Sequence, residues 1–204
     1  MSTTSLVAPA AEERLISTAH ELPPPGEWTY EDYRRLPDDG WRYEIIEGEL
    51  YMSPAPDPIH QDSGLEMAAA FRDFGKKHEA GKAYVAPIDV ILSNLASPVQ
   101  PDVLFIRKER LHIVKRGRIE GAPDIIAEIL SPSNWLTDRR EKFQLYAKAG
   151  VLEYWIVNPQ GRTIELFALR EGRYDLIGKY GIGETVRSEI LAGFEVKVDE
   201  VCPA

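Results

Sequence analysis

An α/β domain, built on a mixed β-sheet flanked by helices and preceded by an N-terminal β-hairpin, is what this sequence predicts. Three observations lead there. The chain has 204 residues, 44% of them hydrophobic, which suits one domain with its own core. Its apolar segments run in the order helix, strand, strand, strand, helix, strand (αβββαβ), an arrangement that layers helices on a sheet. There is no internal repeat and no low-complexity stretch.

The elements follow in order. Residues 1–27 are expected to be a flexible leader ending in PPPG, which suits neither helix nor strand. In TYEDYRRLP, Thr29 caps a short helix, Asp32 completes a capping box and Pro37 stops it. RYEIIEGELYMSP reads as a β-hairpin turning near Glu47-Gly48. Residues 59–79 carry Met67, Phe71 and Phe74 at helical spacing, with Gly81 closing the segment. Three strands are expected next, AYVAPIDVIL, PDVLFI and PDIIAEIL, and then a turn and cap region at SPSN. A helix is expected from about Asp138 to Ala149, stopped by Gly150. EYWIVN is the next strand, with IELFAL and YDLI after it. The domain is expected over 28–198, with 199–204 as a tail.

The net charge of −9 argues against a general affinity for nucleic acid or an anionic membrane, though not against a local basic patch. One cysteine, Cys202, makes a disulfide framework within the chain impossible. The N-terminus lacks the features of a secretory signal, and no apolar run is long enough to span a bilayer. A cytoplasmic protein without membrane partners is the expectation.

Two carboxylates stand out. Asp102 and Glu128 lie in apolar runs on consecutive predicted strands, where an unpaired charge costs several kcal/mol. If those strands pair, the two acids converge at one edge of the sheet. They coexist there only if one is protonated or a cation lies between them. Hard oxygen ligands of this kind suit Mg²⁺ or Mn²⁺, which bind phosphate and activate water. The plainer alternative puts each acid at a strand end in solvent.

Lys142 follows on the next helix. Asp138, Lys142 and Tyr146 recur at i, i+4, i+8 and share a stripe beside the apolar Phe143 and Ala147. Lys142 either reaches the carboxylates, where an ammonium would position water or neutralise a phosphate oxygen, or pairs with Asp138 on a solvated face. Spacing alone does not choose. The loop RKERLHIVKRGR adds Arg107, Lys108, Arg110, Lys115, Arg116 and Arg118, expected close to the carboxylates as a phosphate-binding patch or, more plainly, a solvated hairpin. Glu44 and Glu47 are alternative further carboxylates from the first hairpin. His60 either assists the site or marks an exposed helix start, the simpler account. Asp124, at a strand start, is expected to be exposed. His20, His78 and His112 have no partners at zinc-ligand spacing, and there is neither a phosphate-binding glycine loop nor a G-x-S-x-G elbow.

Pro101-Asp102 and the EIL containing Glu128 resemble the PD-(D/E)xK superfamily of restriction-endonuclease-like proteins. Within it, YEIIEGELYMSPAP, His60-Gln61, QPDV, GAPDIIAEILSPS and DRREKFQLYAKAGVLEYWIVNP are similar to the Uma-type family, over about 28–198. One position departs: Leu130 stands two residues after Glu128, where the superfamily has lysine. The resemblance implies that Lys142 takes over that role, and its spacing from Tyr146 looks like the Q-x-x-x-Y helix of related nucleases. It further implies a restriction-endonuclease-like fold and an Mg²⁺- or Mn²⁺-dependent endonuclease acting on DNA as a homodimer. Asp102 and Glu128 would hold the metal, Lys142 would orient or activate water, Glu44 or Glu47 would complete the shell, and His60 would be accessory. The alternatives are a nuclease fold that binds nucleic acid without cutting it, or an interaction protein that dimerises through its EYWIVN and C-terminal strands.

Overall fold

The computed structural model of the chain describes residues 22–92, 98–131 and 138–202. Most of the expected leader, residues 132–134 of the SPSN turn and the last two tail residues lie outside them, as do the side chains of Asp138 and Arg139 and hence the alternative pairing of Lys142 with Asp138.

Thr29 caps α1 (Tyr30–Tyr33). Its hydroxyl accepts from the Asp32 N–H at 3.4 Å, and the Asp32 carboxylate accepts from the Thr29 N–H at 3.0 Å. The strands β1 (Arg42–Ile46) and β2 (Glu49–Ser53) pair from Arg42↔Ser53 to Ile46↔Glu49, which leaves Glu47 and Gly48 as the turn. Both have positive φ, 50° and 79°, as a two-residue I′ turn requires. The Ile45 N–H donates to Pro98 O at 2.8 Å and fastens this hairpin to the segment that leads into the main sheet.

Asp57 caps α2 (Pro58–Lys77) by accepting from the His60 N–H at 2.8 Å. The helix ends at Lys77, before Gly81, which opens β3 (Gly81–Val85) instead. The expected strand AYVAPIDVIL is two strands. Pro87 offers no N–H to a ladder, and after it β4 (Asp89–Ile91) leaves the main sheet. β5 (Val103–Arg107) is followed by a 3₁₀ turn over Lys108–Ile113, then β6 (Val114–Lys115) and β7 (Arg118–Glu120), which form a small sheet in the order β4-β7-β6. Then come β8 (Ile125–Ile129), a π-helical turn over Asp138–Lys142, α3 (Phe143–Ala149) and β9 (Glu153–Asn158). Gly150, at φ 87°, ends α3 as expected. β10 (Thr163–Arg170) and β11 (Arg173–Tyr180) extend the sheet, and an unanticipated ribbon, β12 (Thr185–Arg187) with β13 (Glu195–Lys197), leads into α4 (Val198–Val201).

The main sheet has the order β11-β10-β9-β8-β5-β3, with β8 and β9 parallel and every other pair antiparallel. Side-chain alternation gives it two apolar faces. Val103, Phe105, Ile125, Ala127, Trp155 and Val157 pack under Met67 and Phe71 of α2. Leu104, Ile106, Ile126, Tyr154 and Ile156 pack under Leu145 and Tyr146 of α3. Even-numbered positions of β5 and β8 therefore face α3.

Candidate active site

Register explains why two acids sit in apolar strands. β5 and β8 pair as Val103↔Ala127 and Leu104↔Ile126. Continued by one residue, this antiparallel register sets Asp102 opposite Glu128, both on the face that carries α3. The two contact each other's strands: the Asp102 N–H donates to Glu128 Oε2 at 3.3 Å, and Asp102 Oδ2 accepts from the Ile129 N–H at 2.9 Å.

Three other elements complete the cluster. Lys142, at the start of α3, places Nζ 3.1 Å from Glu128 Oε1 and 3.0 Å from Glu44 Oε2. Tyr146, one turn on, donates its hydroxyl to Glu128 Oε1 at 2.7 Å. From β1, Glu44 accepts from the Gln100 N–H at 2.7 Å, and two residues earlier on the same strand face Arg42 Nη1 donates to Asp102 Oδ1 at 2.7 Å. From the first turn of α2, His60 Nε2 lies 3.1 Å from Asp102 Oδ2. Glu44, His60, Asp102, Glu128 and Lys142 are all buried, Glu128 completely.

Burial pushes the Asp102 pKa upward, but the hydrogen bond to His60 and the charge of Arg42 outweigh it and hold the carboxyl below its ordinary range. Burial raises the Tyr146 phenol well above its ordinary value, and the charges of Glu128 and Glu44 push the same way. Tyr146 is thus a fixed donor to Glu128.

The cluster is a chain of alternating charge: Lys142 bridges two acids, and Arg42 and His60 hold the third. The carboxylates match in kind the hard oxygen donors of a small divalent cation such as Mg²⁺ or Mn²⁺. Among the described residues, however, no three His, Cys, Asp or Glu converge as a ready-made metal cage. A bound cation would share the Asp102 and Glu128 oxygens with groups that already hold them.

Sequence expectations divide here. Asp102, Glu128, Lys142, Glu44 and His60 come together, with Tyr146 beside Lys142. His60 is buried, against the simpler account of it, because α2 starts directly over Asp102. Glu47 is a correction: it occupies the hairpin turn, exposed, with its Oε1 2.6 Å from Lys148 Nζ. The placement of the basic loop is corrected as well. Arg107 lies five residues beyond Asp102, about 17 Å along an extended strand. With Arg110 it is spent on Asp124, at 2.8 and 3.0 Å. Asp124 is fully buried, not exposed, because these two guanidinium groups pair with it. Lys108 pairs with Glu79, Arg118 with Glu120, and Lys115 donates to His112 O, while Arg116 is exposed. Among the described residues, this loop therefore presents no single patch of unpaired cations to the carboxylates. Arg42 and Gln100 were not anticipated. Arg42 shares a strand face with Glu44 two residues on, the signal that could have found it.

Comparison with known proteins gives two findings. A family model described as "Putative restriction endonuclease" matches residues 30–199. The fold is similar to that of a solved structure from Anabaena variabilis ATCC 29413, described as "a putative nuclease belonging to DUF820", with a TM-score of 0.70 at 19% identity over 85% of this chain and 97% of that one. No curated protein matches the chain. The αβββαβ core with its flanked mixed sheet is therefore a restriction-endonuclease-like fold, and with most of its length matched the chain belongs to the Uma2 family of restriction-endonuclease-like proteins.

Proposed function

We propose that this protein is a divalent-metal-dependent endonuclease that hydrolyses phosphodiester bonds of DNA. The convergence of Glu44, Asp102, Glu128 and Lys142 at the buried, adjoining ends of β5 and β8 carries this reading. Asp102 and Glu128 would hold Mg²⁺ or Mn²⁺, with Glu44 beside them. The ion, when bound, supplies a water of lowered pKa and neutralises phosphate charge. The chain's own groups do the rest. Lys142 carries its ammonium between Glu44 and Glu128, where it can orient a water or hand a proton to a leaving oxygen. Tyr146 fixes the Glu128 rotamer from behind, and Arg42 and His60 fix Asp102. A homodimer, which lets two sites address two strands of a duplex, belongs to the same reading.

A second reading is a nuclease fold that binds nucleic acid without cutting it. Leu130, buried in the apolar core where the superfamily has a lysine, favours it, as does the engagement of each acid by a protein cation. The exposed Arg116 belongs equally to either reading as a phosphate contact.

The test pairs wild type with Glu128→Gln, purified identically, on plasmid and single-stranded DNA with Mg²⁺, Mn²⁺ or EDTA, alongside calorimetric metal titration. Metal-dependent cleavage and metal binding in wild type, both lost in Glu128→Gln, are expected. Cleavage by neither protein under any metal would leave the binding reading, and equal cleavage by both would expose a contaminant.

A further inference from the structure

Asp102 gives its two oxygens to different partners. Oδ2 accepts from the Ile129 N–H at 2.9 Å and lies 3.1 Å from His60 Nε2. The Ile129 N–H is backbone of β8 and stays in place. Among the described residues, Oδ1 has one hydrogen-bond partner, Arg42 Nη1 at 2.7 Å. Oδ1 is therefore the oxygen that a metal ion gains if a single side chain moves. Arg42 cannot yield by losing its charge, because a guanidinium does not deprotonate in a protein. Mg²⁺ binds oxygen at about 2.1 Å. On Oδ1 it would stand beside that guanidinium, two like charges around one buried atom, where repulsion is weakly screened.

Charge balance points the same way. Glu44, Asp102 and Glu128 face two permanent cations, Arg42 and Lys142. A divalent ion added to this set, with His60 neutral, leaves a net positive charge in a buried place, and the departure of one cation removes it. The surroundings say which cation can go. Lys142 is 3% exposed and lies between two acids, and His60 is 8% exposed and starts α2 directly over Asp102. Arg42 is 18% exposed and borders a cleft of about 590 Å³ that none of the three acids lines. The one carboxylate lining that cleft is the exposed Asp38, four residues before Arg42. The guanidinium thus has room and an acceptor outside the cluster.

We propose that Arg42 is a displaceable internal cation, which holds Asp102 Oδ1 until a divalent ion takes that oxygen and then turns into the cleft toward Asp38. Arg42 thereby sets the metal affinity of the site, a role that rests on the metal-dependent reading above. An arginine that only positions Asp102 would act with the opposite sign, since its removal would weaken metal binding.

The experiment is a calorimetric Mn²⁺ titration of the full chain, wild type against Arg42→Met, which keeps the bulk of the side chain and removes its charge. If Arg42 is off Asp102 in about one molecule in ten, the apparent affinity of wild type is lowered about 10-fold. Arg42→Met should therefore bind Mn²⁺ about 10-fold more tightly. Weaker or unchanged binding by folded Arg42→Met overturns the inference. A second measurement needs no variant. Wild type is treated with phenylglyoxal, which modifies accessible arginines, and the labelled positions are read by mass spectrometry. Mn²⁺ should raise the labelling of Arg42 several-fold and leave that of Arg34, already 62% exposed, unchanged. No rise at Arg42 overturns the inference whether or not the variant folds. The two readings fail separately. Tightening and labelling without DNA cleavage sink the nuclease and keep the displaceable arginine. Mn²⁺-dependent cleavage with neither of them sinks the arginine's role and keeps the nuclease.

Discussion

Lys142 is the residue on which the buried charges balance. Its ammonium, 3% exposed, lies between Glu44 and Glu128, which are 7% and 0% exposed. Removing one partner from a buried ionic group costs about 3–5 kcal/mol, because the remaining charge is stranded. Lys142→Met should therefore lose stability of that order in urea unfolding, far more than a lysine on a solvated helix face would. By the same logic Glu128→Ala is not a silent change, since Glu128 also receives Tyr146. That is why Glu128→Gln is the better probe of function. Asp102 sets the behaviour in acid. Its folded pKa lies below its unfolded value, near 3.8. The stability it contributes is thus present above that value and is lost as pH falls toward the folded one. The stability gap between wild type and Asp102→Asn should hold constant above about pH 5 and narrow as pH falls below about 4. A gap that widens in acid would mean that Asp102 is not held ionised by His60 and Arg42.

Each element owes its place to a local rule and its aim to a tertiary one. The first hairpin shows both. The dipeptide Glu47-Gly48 was legible as a turn, but the close approach of residue 26, which ties the segment before α1 to that turn, was not. Gly26 and Trp28 donate to Gly48 O at 3.0 and 3.1 Å, and a Cβ on Gly48 would stand 2.2 Å from Gly26 O. Gly48→Ala should cost on the order of 1–3 kcal/mol through this clash and the positive φ. A thermal melt unchanged by the substitution would contradict that account. Since β1 carries Arg42 and Glu44, a loosened hairpin should also disturb the carboxylate cluster. The i, i+4 spacing of Lys142 and Tyr146 keeps both on one stripe, because Lys142 is the last residue of the π-helical turn and α3 follows it directly.

For the molecule as a whole, the six-stranded sheet is a scaffold with two unlike edges. β3 borders α2, whereas β11 exposes Leu176 and Ile177, 56% and 36% accessible, on a strand with one side unpaired. Apolar edge strands invite a partner. If the proposed homodimer uses this edge, light scattering at micromolar concentration should give twice 23.0 kDa, and Leu176→Lys should shift the mass toward the monomer. A monomer at all concentrations would remove the homodimer from the functional reading. The basic loop also makes sense at this level. Much of its charge neutralises acids of its own chain, Asp124 above all, so its local sequence overstated what is free for a partner.

The sequence by itself determined the order of the core elements, the capped start of α1, the glycine stop of α3, and the two strands with acids in apolar surroundings. Those are consequences of periodicity and backbone chemistry within a few residues. Family membership was legible too, because its motifs are local strings. Tertiary structure alone decided which charges meet. Arg42 and Gln100 joined the cluster, Glu47 left it, and Asp124 went into the core with two arginines. Those outcomes depend on pairing register and on how the hairpin and α2 dock, and both are fixed by contacts between residues fourteen or more positions apart. A buried charge is placed where its partner arrives, and the partner's arrival is not written in the spacing of either one.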